Sequence, residues 1–160
     1  MSRLTPDLAA YLGAGLAHQV GACGPDGQPW VVRALGALAD DDGGVSVLLS
    51  ALASPEALAA IAATRQVALV LCQPSTLRTI LLKGADAVVE TVDTPPWRAR
   101  LAERHEAFFR DVSQLGFQRE LLAGWYDVPE GQLARIRFTP YGAWNQTPGP
   151  GAGGPVELLP

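Results

Sequence analysis

Apolar residues run along this chain in short blocks broken by proline, glycine and aspartate, with one longer stretch of helical periodicity in the second half. The blocks QVGACG (19–24), PWVVRALGAL (29–38), VSVLLS (45–50), QVALVLCQ (66–73), TLRTILLKGADAVVETV (76–92) and GQLARIRFTP (131–140) have strand length and strand composition. PDGQ and DDDGG separate the first three, and a QP pair ends the fourth, so consecutive strands join as hairpins. Helix starts are written three times as a hydroxyl residue followed by proline: Thr5-Pro6, Ser54-Pro55 and Thr94-Pro95. There the hydroxyl can cap free N–H groups, and the missing proline N–H costs nothing.

Over 96–115 the residues Trp97, Leu101, His105, Phe108, Val112 and Leu115 recur at spacings of three and four, which predicts an amphipathic helix. Glu106 and Arg110 make an i, i+4 pair on it. His105 falls in the apolar stripe and reads as a packed core histidine. QRELLAGWYD (118–127) predicts a shorter helix. Hairpins dominate and strand–helix–strand crossovers are few, so the sheet is antiparallel. The strands are apolar on both faces, which requires cover on both sides. The economical architecture is mainly β (α+β): a small antiparallel β-barrel with peripheral helices, as one domain over 1–146 with a Pro/Gly-rich tail over 147–160.

Composition sharpens this. The chain is 48% hydrophobic and only 18% charged, against about 25% charged in ordinary soluble domains. So little charge leaves apolar surface to cover, and a homodimer is the natural remedy. A net charge of -4 with no Lys/Arg run argues against a nucleic-acid partner. The first residues lack a leader pattern and no stretch reaches the ~18 apolar residues of a span, so the expectation is a cytoplasmic protein with no membrane partner. Cys23 and Cys72, each inside an apolar run, read as small buried thiols rather than a disulfide. His18 and His105 have no second ligand at metal-binding spacing, so no metal is expected.

No hydrolytic constellation is present, and WNQTPGPGAGG (144–154) lacks the Lys-Ser/Thr of a phosphate loop. The charges inside strands carry more. Arg33 sits in WVVRALG, and Arg78 and Lys83 sit in LRTILLKG. Cations in apolar strands are costly without a partner. Two readings stand: stems that lie on the surface with their heads in water, or an anion site. Arg78 and Lys83, five apart, would point to opposite faces of a regular strand. Ser54 is either an N-cap or part of an anion site at a helix N-terminus.

These pieces together resemble the pyridoxamine 5'-phosphate oxidase-like family, the FMN-binding split barrels, over roughly residues 6 to 151. The resemblance rests on VGACGPDGQPWVVRALGAL, on SPEALAAIAATRQVALVLCQPSTLRTILLKGADAVVE, and on FTPYGAWNQTPGPGAG. It implies an antiparallel split β-barrel that dimerises, with FMN in the groove between subunits. It nominates Arg33, Arg78, Thr79 and Lys83 for flavin phosphate and ring, and Ser50 and Ser54 for the segment beside the phosphate. At the rim it nominates Trp144 and Gln146, and Trp144 reads equally as dimer packing. The function implied is an FMN-dependent oxidoreductase acting on a small molecule through flavin N5. The alternative is a flavin, deazaflavin or haem carrier or redox sensor. The family's namesake carries a basic pair beside its phosphate and a C-terminal arginine motif. This chain has neither, so the resemblance does not extend to pyridoxamine phosphate oxidation.

Overall fold

A computed structural model describes residues 3–160. Four helices and ten strands follow the order α1 (Pro6–Leu12), β1 (Ala17–Cys23), β2 (Pro29–Ala34), β3 (Gly36–Ala39), β4 (Val45–Ser50), α2 (Pro55–Thr64), β5 (Val67–Cys72), β6 (Thr79–Gly84), β7 (Val88–Thr91), α3 (Pro95–Ser113), α4 (Arg119–Ala123), β8 (Leu133–Phe138), β9 (Pro140–Asn145) and β10 (Pro155–Val156). A 3₁₀ turn, Gly124–Tyr126, follows α4.

The strands form two antiparallel sheets, ordered β10-β9-β6-β5-β1-β2 and β3-β4-β8-β7. This is a split barrel that does not close into one cylinder. The runs expected as single strands are divided where they pass from one sheet to the other. Residues 29–39 form two strands with a bend between them, pairing with β1 up to Ala34 and with β4 from Gly36. Leu35 is the corner, and its N–H donates to Leu48 O at 2.8 Å. Likewise 79–91 pairs with β5 and β9 through Gly84, then with β8 from Val88. A register shift falls at Lys83/Gly84. There a side chain is impossible, since a Cβ on Gly84 would stand 2.9 Å from Cγ of Phe138. Strands that switch sheets bend at such points. Residues 131–145 also divide, into β8 and β9, and Pro140 opens the second.

Of the three proposed caps only Thr5 acts, taking the Leu8 N–H on its hydroxyl at 3.3 Å. Ser54 and Thr94 make no such bond. Glu106 pairs with Arg119 of α4 rather than with Arg110. Residues 147–160 return to the sheet: β10 pairs with Ala143 and Trp144, and Arg3 bridges Leu159.

Burial divides into two clusters. One lies between the sheets under α1 and α2, with Val20, Val47, Leu49, Ile61, Leu69 and Leu82 at its centre. The other packs α3 and the 3₁₀ turn on the back of the second sheet through Leu48, Leu101, Phe108, Tyr126 and Leu133. β4 contributes to both and is buried on both faces. Each buried leucine stabilises the fold by about 2 kcal/mol before entropy is counted. The six-stranded sheet is covered on one face only. Its other face is the surface on which the candidate site stands.

Candidate functional site

The strand register lays out that open face. Directly opposed residues share a face, so Arg33, Gln19, Val70, Leu81 and Trp144 form one row across β2, β1, β5, β6 and β9. The next row is Val31, Gly21, Ala68, Lys83 and Gly142. Thr79 belongs to the same face beside Cys72. Arg33, Thr79, Lys83 and Trp144 therefore share one surface of low polarity, on which Val31 is 73% exposed. Gln146 follows β9 and is exposed, and its N–H donates to Thr79 O at 2.7 Å.

Arg33 has no carboxylate partner among the described residues. Its guanidinium lies 4.4 Å from the ring centroid of Trp125 and donates to the Tyr126 hydroxyl at 3.2 Å. Burial pushes the Tyr126 phenol up, and the Arg33 charge pulls the other way. His105 stacks on Tyr126 at 4.0 Å, and its Nε2 is buried with no partner. Burial lowers its pKa to about 4. A cavity of about 480 Å³ opens beside this group, between His105, Phe109, Arg119 and Tyr126.

Lys83 is the second cation of the face without an ion pair, and its ammonium sits 5.3 Å from the Trp144 ring centroid. The Trp144 indole lies across Gly142 and meets Tyr141 edge-on at 6.4 Å.

The remaining candidates stand elsewhere. Arg78 lies before β6, in the loop 73–78, so the pleat argument that opposed it to Lys83 does not apply. It pairs with Asp7 at 2.7 Å and stacks 4.3 Å from the Tyr11 ring centroid. Burial pushes the Tyr11 phenol up to about 12, and its hydroxyl donates to Arg78 O at 2.6 Å. The loop is fixed by Asp111, a buried carboxylate of α3. It accepts from Gln73 Nε2 at 2.9 Å, Ser75 N at 2.9 Å and Ser75 Oγ at 2.6 Å. Ser50 ends β4, and its hydroxyl takes the Ala53 N–H at 3.3 Å. Ser54 is buried at the head of α2. Within one chain no hydrogen bond or ion pair joins Ser50 and Ser54 to Arg33 or Arg78.

Both cysteines are free thiols, but they are less buried than expected: Cys23 is exposed and Cys72 half-buried, because both point to the open face. Among the described residues no His/Cys/Asp/Glu group is arranged to hold a metal ion. None of their helices is long and apolar enough to cross a membrane.

HupZ of Group A Streptococcus has the same architecture, with a TM-score of 0.55 at 15% identity over 94% of this chain and 99% of that one. The fold is the split barrel of the pyridoxamine 5'-phosphate oxidase-like proteins. An F420 reductase shares the split barrel, with a TM-score of 0.53 at 15% identity over 84% of this chain and 93% of its own. So does a pyridoxamine 5'-phosphate oxidase-related, FMN binding protein from Nostoc punctiforme, with a TM-score of 0.51 at 15% identity, covering 92% and 87%. No family model matches the sequence, and no curated protein matches it.

Proposed function

We propose that this split barrel is a dimeric FMN-binding oxidoreductase of the pyridoxamine 5'-phosphate oxidase-like family, acting on a small molecule. One observation carries the reading: Arg33 is an unneutralised cation at the edge of a flat, weakly polar sheet face that its own chain leaves open. Arg33 and Leu81 stand three strand spacings apart, roughly 14 Å, which suits a ligand with an anionic end and an apolar planar body. The similarity in fold to an FMN binding protein and to an F420 reductase supports a flavin-type cofactor.

The residues fit such a group in part. Arg33 would hold the phosphate, its charge being spent on no carboxylate. Thr79, Gln146 and Trp144 would flank the ring at the opposite side. Arg78 is already neutralised by Asp7 and must exchange that partner before it can bind a phosphate. Ser50 and Ser54 lie off the face, so a site using them needs the second subunit. Pairing two copies through the open face would cover Val31, Val70 and Leu81. Bound flavin would supply hydride or electron exchange at N5, and the protein would bind, orient and shield it. Haem suits the chain less well, since both histidines keep Nε2 buried.

The absorbance spectrum tests the reading. A band near ~450 nm in the isolated protein, or on adding FMN, is the expected result. Protein that takes up no FMN overturns the flavin reading. Bound flavin never reduced by NADH or NADPH favours the carrier alternative. Sedimentation should show a dimer at micromolar concentration, and a monomer there contradicts the shared groove.

A further inference from the structure

Arg33 is met by a part of the chain 93 positions away. The 3₁₀ turn Gly124–Tyr126 brings Trp125 and Tyr126 to its guanidinium, and α3 brings Phe108. The ring centroids stand 4.4 Å (Trp125), 5.6 Å (Tyr126) and 5.7 Å (Phe108) from its Cζ. Rings can hold a cation in place, but they leave its N–H groups unspent. Among the described residues Arg33 makes one side-chain hydrogen bond, from Nη2 to the Tyr126 hydroxyl. A guanidinium offers more donors than that bond consumes, and Arg33 is exposed.

The hydroxyl on the receiving end is unusual in the same way. It accepts from Arg33, and among the described residues its own proton is given to no acceptor. Burial pushes the phenol up, while the Arg33 hydrogen bond and charge pull it down. A hydroxyl that accepts from a cation is polarised and donates more strongly to the next group in line. The ring beneath it is fixed on three sides. His105 stacks on it at 4.0 Å, and Phe108 and Phe109 meet it edge-on at 5.6 and 5.7 Å. His105 is itself held by a hydrogen bond to the backbone of Leu35, the corner that follows Arg33 by two residues. The corner that places the cation thus also places the phenol, and donors held this firmly lose little freedom on meeting a ligand.

We infer that the Tyr126 hydroxyl is a second donor to the cofactor phosphate, binding it together with Arg33 while Trp125 holds the guanidinium in position. This rests on the flavin reading above and adds to it a pair of residues on a turn remote from the sheet. Asp127 lines the cavity beside Tyr126 and repels an anion lodged inside it, so the phosphate belongs on the exposed Arg33 side.

The experiment titrates the full chain with FMN and with riboflavin, which lacks the phosphate, and reads flavin fluorescence. Tyr126→Phe keeps the packed ring and should weaken FMN about tenfold while leaving riboflavin within about twofold. On an Arg33→Ala background the same change should cost FMN under about threefold, because the two donors act as a unit. Trp125→Leu changes a residue 53% exposed, so folding does not depend on it. It should weaken FMN about threefold and spare riboflavin. Equal losses for the two flavins in the single variants, unchanged FMN binding in them, or a tenfold loss that persists without Arg33 would each overturn the assignment. Parent protein that binds both flavins equally well keeps the flavin reading and overturns the phosphate pair. Parent protein that takes up neither overturns the flavin reading and the pair with it.

Discussion

The indole of Trp144 lies over the α-carbon of Gly142, so close that a methyl on Gly142 would stand 2.9 Å from Cζ3 of the ring. The two residues point to the same side of β9, and the missing side chain of one gives the other room to lie beside the Lys83 ammonium and meet Tyr141 edge-on. Gly142→Ala should therefore lift the indole into solvent. The expected readout is a red-shifted Trp144 emission with a stability loss on the order of 1 kcal/mol in urea, since a side-chain end can swing away where backbone cannot. An unshifted spectrum would mean that the ring does not rest on Gly142.

Arg33 and Arg78 differ in what they already hold, and that difference can be measured. Arg33→Ala should weaken FMN binding about tenfold or more, the scale of one charge-assisted hydrogen bond. Arg78→Ala should cost less, because Asp7 competes for the same guanidinium. Asp7→Asn should leave stability within about 1 kcal/mol, as exposed pairs do, and should raise the contribution of Arg78. Titration of flavin fluorescence with the three variants ranks them, and a larger loss at Arg78 than at Arg33 would reverse the assignment.

His18 sets an acid limit on the fold. It is buried in β1 with Nε2 unpartnered, and burial together with the nearby Arg33 and Arg104 charges lowers its pKa to about 3. The unfolded chain takes up a proton near 6.5 and the folded chain does not. Stability is therefore full above that pH and falls as pH drops toward 3. At pH 4.5, about two units below the unfolded value, the loss from this residue is on the order of 2 to 3 kcal/mol. Urea midpoints at pH 7 and 4.5 should show this gap in the parent protein. His18→Leu should narrow the gap, and an unchanged gap would rule His18 out as its source.

Asp111→Ala should strip the 73–78 loop of its anchor, leaving Gln73 and Ser75 donors unpaired against α3. A destabilisation of about 2 to 4 kcal/mol is expected, since the carboxylate takes three bonds and is buried. Thermal melts measure it. A loss under about 0.5 kcal/mol would show that the loop holds without it.

The strand blocks and helix starts were legible because each rests on local pattern: apolar runs, the Asp-Gly turn, proline after a hydroxyl. The corners at Leu35 and Gly84 were not, since they depend on which sheet lies ahead, and Phe138 over Gly84 is a contact across 54 positions. Among the candidate residues, Arg33, Thr79, Lys83 and Trp144 come together on one face through strand register, which hairpin order alone foreshadows. The aromatic cage that Trp125 and Tyr126 build around Arg33 left no trace in the pattern, because it joins a 3₁₀ turn to a distant sheet edge. Asp111 had a signal that could have been read: a carboxylate three residues after Phe108, inside the buried stripe of α3, demands donors from elsewhere.

The bridge between Arg3 and Leu159, with N–H to carbonyl bonds of 2.8 Å in both directions, has a geometric consequence. Anything joined ahead of residue 3 and anything joined after residue 159 must leave the domain at the same corner. A short peptide could splice the two positions together, and the polypeptide could then be cut open at the exposed Asp26-Gly27 turn without parting a strand from its neighbours. Such a circular permutant should keep both sheets.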